Sequence, residues 1–122
     1  MPRIGVVIYC EEDGSCPFID WFERLSPLAQ DKVLVRMERL GELGHELRRP
    51  EADYLRDGIH ELRATAHGTH HRVLYFFHGR VAVVVSHGII KEQKVPDREI
   101  DLAVRRMKRF EADPSKHTLE EV

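Results

Sequence analysis

The run Val81-Ala-Val-Val-Val-Ser-His87 constrains this chain more than any other segment. Branched side chains favour extended backbone. A strand with apolar residues in consecutive positions has no polar face to turn to water, so it belongs inside a sheet. His71–Phe77, rich in aromatic and branched residues, precedes it, and only His78-Gly79-Arg80 lies between. A link that short predicts a hairpin. Upstream, Ile59–Thr65 reads as a third strand, set off by the turn dipeptide Asp57-Gly58 and by a loop around Gly68. Three consecutive strands with short links predict an antiparallel meander.

The N-terminal half reads differently. Ile4–Tyr9 is a short apolar strand, followed by the polar turn Glu11–Ser15. Ser15 or Cys16 can start a helix with Pro17 in its first turn, where a missing N–H costs nothing. Phe18, Trp21, Phe22 and Leu25 then recur at i, i+3, i+4 and i+7. Ser26-Pro27 restarts the pattern as a cap followed by a first-turn proline. Ala29, Val33, Leu34, Met37 and Leu40 share one face of this second helix, Lys32, Arg36 and Arg39 the other, and Gly41 and Gly44 bring it to an end. The two helices should form a hairpin. Residues 45–58 read as a polar connection. Pro96-Asp97 opens a last helix, with Ile100, Ala103, Val104, Met107 and Phe110 on one face and Arg98, Arg105 and Arg109 opposite.

The predicted order is β-α-α-β-β-β-α. It defines an α+β domain over residues 1–110, with helices on one face of a small, mostly antiparallel sheet. Trp21, Phe22, Val33, Met37, Val83 and Val85 are expected in one core. Residues 111–122 are acidic, contain Pro114 and lack periodicity, which predicts a flexible tail.

The 122 residues suffice for one domain. No apolar run nears the roughly 20 residues that cross a bilayer, and the N-terminus lacks the apolar stretch of a secretory leader. The expected location is the cytoplasm. There, Cys10 and Cys16 are expected as free thiols. The formal net charge of -2 hides an asymmetry: residues 56–109 carry 11 Lys and Arg against 6 Asp and Glu, while the flanking segments are acidic. A basic block suits a polyanion, whose phosphates it neutralises with release of counterions. The plainer alternative is an ordinary solvated surface.

Strand alternation places Glu61 and Arg63 on one face, Arg72 with Leu74 and Phe76, Tyr75 with Val73, and His87 with Val81, Val83 and Val85. Lys91 and Lys94 follow in the loop before Pro96. A meander could draw Arg63, Arg72, Tyr75 and the two lysines towards one patch. That set suits cleavage of an RNA phosphodiester by the neighbouring 2′-OH. Fixed guanidinium or ammonium groups stabilise the charge that builds on phosphorus, and a Lys, His or Tyr moves the protons. Such chemistry needs no metal or other cofactor. Each residue also has a structural alternative: Arg63 paired with Glu61, Tyr75 in the core, His87 as a strand-end prop. His67, His70 and His71 have no cysteine or nearby carboxylate to complete a metal site, so none is expected.

Three strings carry a resemblance. Leu55-Arg-Asp-Gly-Ile-His-Glu-Leu-Arg63 is similar to the L-x-x-G-ϕ-x-E-L-R segment of the RelE/ParE toxin superfamily. His71-Arg-Val-Leu-Tyr-Phe76 resembles the Y-R-ϕ-ϕ-Y-F strand of its HigB-like branch, which includes many phage-derived members. Ser86-His-Gly-Ile-Ile-Lys-Glu-Gln-Lys-Val-Pro96 resembles that branch's H-G-F-x-K-K-x-x-K-x-P segment, with Glu92 in place of the second paired lysine. Coverage is about residues 3–109. The resemblance implies the toxin of a toxin–antitoxin system: an mRNA interferase that cuts messenger on the ribosome, held in check by a cognate antitoxin expected to be of helix-turn-helix type. Carried over by position, Arg63 and Arg72 would stabilise the scissile phosphate. Lys91 would bind RNA or transfer a proton, and Tyr75 would be a further catalytic candidate. Lys94, Arg98 and His87 would line the RNA path. Two other readings remain: a non-enzymatic descendant that binds RNA or a protein, and a ParE-like gyrase-binding toxin.

Overall fold

A computed structural model describes residues 4–80, 82–90 and 93–119. Val81, Lys91 and Glu92 lie outside the described residues. The element order is β1 (Gly5–Ile8), α1 (Pro17–Glu23), α2 (Pro27–Leu43), β2 (Ala52–Arg56), β3 (Ile59–Ala66), β4 (Thr69–His78), β5 (Ala82–Ile90) and α3 (Asp97–Ala112). The expected α+β class holds. The strands form one sheet in the order β1-β5-β4-β3-β2, with β1 parallel to β5 and every other pair antiparallel. The valine strand is interior, as its composition required.

Local chemistry explains the helix boundaries. Cys16 is the N-cap of α1 and Pro17 its first residue. Ser26 caps α2, its hydroxyl accepting from the Ala29 N–H at 3.2 Å. The α2 C-cap is Gly44 at φ +54°, a left-handed value a side chain would resist. Gly88 serves close approach instead: α1 lies so near β5 that a Cβ there would run into the Trp21 ring.

Five expectations need correction. The helices do not share one face. Buried Phe18, Val33, Leu40, Leu62, Val73, Val83 and Val85 form one core under α1 and α2, with Trp21, Phe22 and Met37 packed against it. A second core, built on Tyr9, Ile59, Leu74, Phe76 and Val84, sits on the opposite face against Ile100, Ala103 and Phe110 of α3. The six residues expected together do share the first core, but α3 needs a place for its own apolar stripe and takes the other side of the sheet.

Within residues 45–58 the structure has a strand, β2, at the sheet edge. Its mixed composition hid it, because an edge strand needs apolar contacts on few positions. The alternation in β5 also breaks. Tyr75 pairs with Val85 but Leu74 with His87, so Ser86 is an extra, bulged residue. The bulge moves His87 from the Val83 and Val85 face to the α3 face.

Cys10 and Cys16 are joined in a disulfide. The chain reverses between them, with Glu11 N–H bonded to the Ser15 carbonyl at 2.8 Å and Gly14 N–H to the Glu11 carbonyl at 3.0 Å. This turn brings the end of β1 to the start of α1. Finally, the segment after α3 is anchored as far as Leu119. A single 3₁₀ turn spans Pro114–His117, and Thr118 pairs with Tyr9 along the outer edge of β1. His117 is buried and its ring stacks on Tyr9 at 5.1 Å. Covering that edge removes a free row of backbone donors and acceptors.

Candidate functional site

Pairing of β3 with β4 sets Arg63 opposite Arg72 and Glu61 opposite Leu74. Leu62 points into the α1/α2 core, so Glu61 and Arg63 take the other face. Glu61 is 1% exposed. Its Oε1 accepts from Arg63 Nε and from Arg72 Nη1, both at 2.6 Å, while Oε2 has no hydrogen-bond partner among the described residues. A buried carboxylate of this kind holds two guanidiniums in fixed orientation and leaves their remaining N–H groups for another anion.

The network extends outward. Arg63 Nη2 reaches Asp53 at 3.4 Å, and Asp53 accepts from Arg49 at 2.7 Å. The Arg49 hydrogen bond holds the Asp53 carboxyl below its usual range. From α2, Arg36 Nε donates to the Arg63 carbonyl at 3.0 Å, and Arg36 and Arg39 both pair with Glu51. The resulting cleft, about 440 Å³, is lined by Lys32, Arg36, Arg63, Arg72, His70 and Thr65 among others, and by no carboxylate. His70 is exposed, its Nδ1 lying 3.3 Å from the Thr65 hydroxyl.

Of the described residues singled out from sequence, the structure brings Arg63 and Arg72 together and places Tyr75, His87, Lys94 and Arg98 elsewhere. Tyr75 is 1% exposed, its hydroxyl pushed far up in pKa by burial, and its ring stacks on His60 at 5.1 Å. It belongs to the α1/α2 core, on the face away from Glu61. Lys94 is exposed in the loop before α3, with no ion pair among the described residues. Lys91 lies outside the described residues. Arg98, at the start of α3, is exposed and pairs with Glu99 at 3.8 Å. His71 is buried edge-on to Trp21. Lys32, Arg36 and His70 were not singled out as site residues. The signal available for the first two was their spacing four apart on the polar face of α2.

His87 enters a second polar cluster, under α3. Its Nε2 lies 3.1 Å from Glu99 Oε1 and its Nδ1 2.8 Å from the Ser86 hydroxyl. A carboxylate only accepts, so Nε2 carries the proton and Nδ1 accepts from Ser86. Burial, then the Arg106 charge, push the imidazole down to about 4 against the pull of Glu99. Arg106 also reaches Ser86 and Glu11, each at 3.4 Å. Serine, histidine and glutamate in sequence suggest a hydrolytic triad, but Ser86 is 0% exposed, which leaves a substrate no approach.

A helical hairpin and a C-terminal helix on opposite faces of a mostly antiparallel five-stranded sheet define an α+β domain compatible with a RelE-like fold. The family "Phage derived protein Gp49-like (DUF891)" matches residues 20–108, and the chain belongs to it. This is a RelE/toxin-like family, consistent with the toxin of a toxin–antitoxin pair and implying an antitoxin partner. No curated protein matches the chain in sequence. Among the described residues no helix is long and apolar enough to cross a membrane.

Proposed function

We propose that the chain is a ribosome-dependent messenger RNA endonuclease of the HigB-like kind, acting in the cytoplasm and restrained by its cognate antitoxin. One observation carries this reading: two guanidiniums anchored on a single buried carboxylate at a cleft without carboxylates in its lining. As the 2′-oxygen attacks phosphorus and the 5′-oxygen leaves, negative charge grows on the phosphoryl oxygens. Arg63 and Arg72, already oriented by Glu61, would meet that charge without reorganising. Lys32 and Arg36 extend the positive lining towards α2, where the next phosphate would lie. His70, exposed in the cleft with Nδ1 3.3 Å from the Thr65 hydroxyl, would transfer a proton. Lys94, from the loop before α3, and Lys91, three residues earlier in the sequence, would act as phosphate contacts or as a proton donor.

A second reading has its own support. Arg36, Arg39, Arg49, Arg63 and Arg72 all have carboxylate partners in Glu51, Asp53 and Glu61, and the tyrosine expected at the site is buried. A fold that binds RNA or a protein without cutting would have the same features. Induction of the gene in a bacterium, with and without its neighbouring reading frame, separates the two. The ribonuclease predicts growth arrest relieved by the neighbour, with messenger cuts that primer extension maps. The binding protein predicts normal growth and intact messengers.

A further inference from the structure

A groove beside the arginine cleft has no role in the scheme above. It is floored by Tyr54 of β2 and His60 of β3, which face each other in the strand pairing, and rimmed by His45, Arg48 and Arg49. Its volume is about 410 Å³. Tyr54 is 55% exposed, far more than a ring of that size needs to be on a sheet surface. Its edge meets the His60 ring at 5.1 Å, and His60 lies stacked on Tyr75 at 5.1 Å, so the floor is a supported aromatic shelf. His45 is held flat on Phe77 at 3.6 Å. Burial and the neighbouring His45 hold the His60 imidazole below its usual pKa, which favours the uncharged ring that stacks best.

The charges at the rim favour a polyanion. Arg48 is exposed, with no ion pair among the described residues, while Arg49 shares Asp53 with Arg63. Asp53 is the one carboxylate in the groove lining, and through it the groove connects to the Glu61 cluster.

We infer that this groove is a base-stacking site for single-stranded RNA, with Tyr54 as the stacking ring and Arg48 as the phosphate contact. The inference rests on the RNA-directed reading above and deepens it: it gives the RNA a second contact near the β2 edge, on the sheet face opposite Arg63. Exposed aromatic faces flanked by arginine are the usual means of holding unpaired bases without reading their sequence. Leu47 and Ala52 also line the groove, and it is the two arginines at its rim, Arg48 and Arg49, that favour a polyanion as the occupant.

The test uses the full chain and two labelled probes that cannot be cut: a short 2′-O-methyl oligouridylate, and an abasic oligomer of the same length and charge. Fluorescence anisotropy should show the base-bearing probe bound about tenfold more tightly. Tyr54→Ala should abolish that preference while Tyr54→Phe, which keeps the ring, retains it, with far-ultraviolet circular dichroism confirming both variants folded. Equal binding of the two probes, no binding of either, or a preference that survives Tyr54→Ala overturns the inference. Its failure is separable from that of the ribonuclease. If induced wild type cuts messenger but shows no base preference, the groove assignment falls alone. If base preference is present without cleavage, the enzymatic reading falls alone.

Discussion

Two of the arginine–carboxylate clusters among the described residues, one at Glu61 and one at Arg106, differ in what they leave free. At the β3–β4 pair, Glu61 is sealed while Arg63 keeps 34% of its side chain exposed, beside a cleft. Under α3 the order is reversed. Arg106 is 12% exposed, and the Ser86 and His87 beneath it are buried. The first cluster hides the anion and presents one of its two cations, Arg63, while Arg72 is mostly buried. The second encloses its cation and spends its hydrogen bonds internally. Similar residue types therefore yield a surface prepared for an external anion in one place and a polar brace between α3 and the sheet in the other.

The sharpest way to break this contrast is at Glu61. Glu61→Ala leaves Arg72 without its carboxylate in a mostly buried position, and removal of one partner from a buried pair costs about 3–5 kcal/mol. Urea unfolding should show that loss. A loss under about 1 kcal/mol would mean that Glu61 does not organise the site, since that is the range of solvated surface pairs.

The second region should show itself in pH. His87 is neutral in the fold, with its pKa pushed down to about 4, while the unfolded chain takes up the same proton near 6.5. Its stabilising contribution is thus complete above about 6.5 and is lost as pH falls towards 4, by about 3 kcal/mol. Glu99 and Arg106 face the ring and set that balance. His87→Gln should flatten the stability profile between those pH values in thermal melts, and an unchanged slope would place the titrating group elsewhere. The smallest effect lies outside both regions. Ser26→Ala removes the α2 cap and should cost about 1 kcal/mol without altering RNA binding or the pH profile.

The sequence made some of this legible and concealed the rest for physical reasons. Periodicity marked α1, α2 and α3, and Ser26, Pro17 and Pro96 placed their starts, because caps and prolines act locally. Glu61 and Arg63 two apart on a strand marked a shared face, and their pairing was one of the readings open at the outset. Alternation already set Arg72 and Tyr75 on opposite faces of their strand, and the meander that was expected to draw them to one patch leaves Tyr75 in the α1/α2 core. His87 was misplaced by a single bulged residue that no pattern of period two reveals. Lys32, Arg36 and Arg48 reach their grooves only when α2 and the segment after it lie across β3. That is a contact between distant parts of the chain, and no local signal encodes it. The disulfide escaped for a different reason: the expected location argued for free thiols, whereas a local turn at Glu11–Gly14 brings Cys10 to Cys16.

The central claim is that the exposed arginine cluster acts on RNA and the enclosed one does not. The most direct measurement is messenger cleavage per folded molecule, mapped by primer extension after induction, in Arg63→Ala beside Arg106→Ala. Loss of one charge-stabilising donor is expected to lower cleavage per folded molecule roughly 100-fold in Arg63→Ala, with some loss of folded yield because Glu61 keeps only Arg72. Arg106→Ala should reduce the folded yield and leave cleavage per folded molecule at the wild-type level. Equal cleavage by wild type and Arg63→Ala, or an equal fall in both variants, would contradict the account.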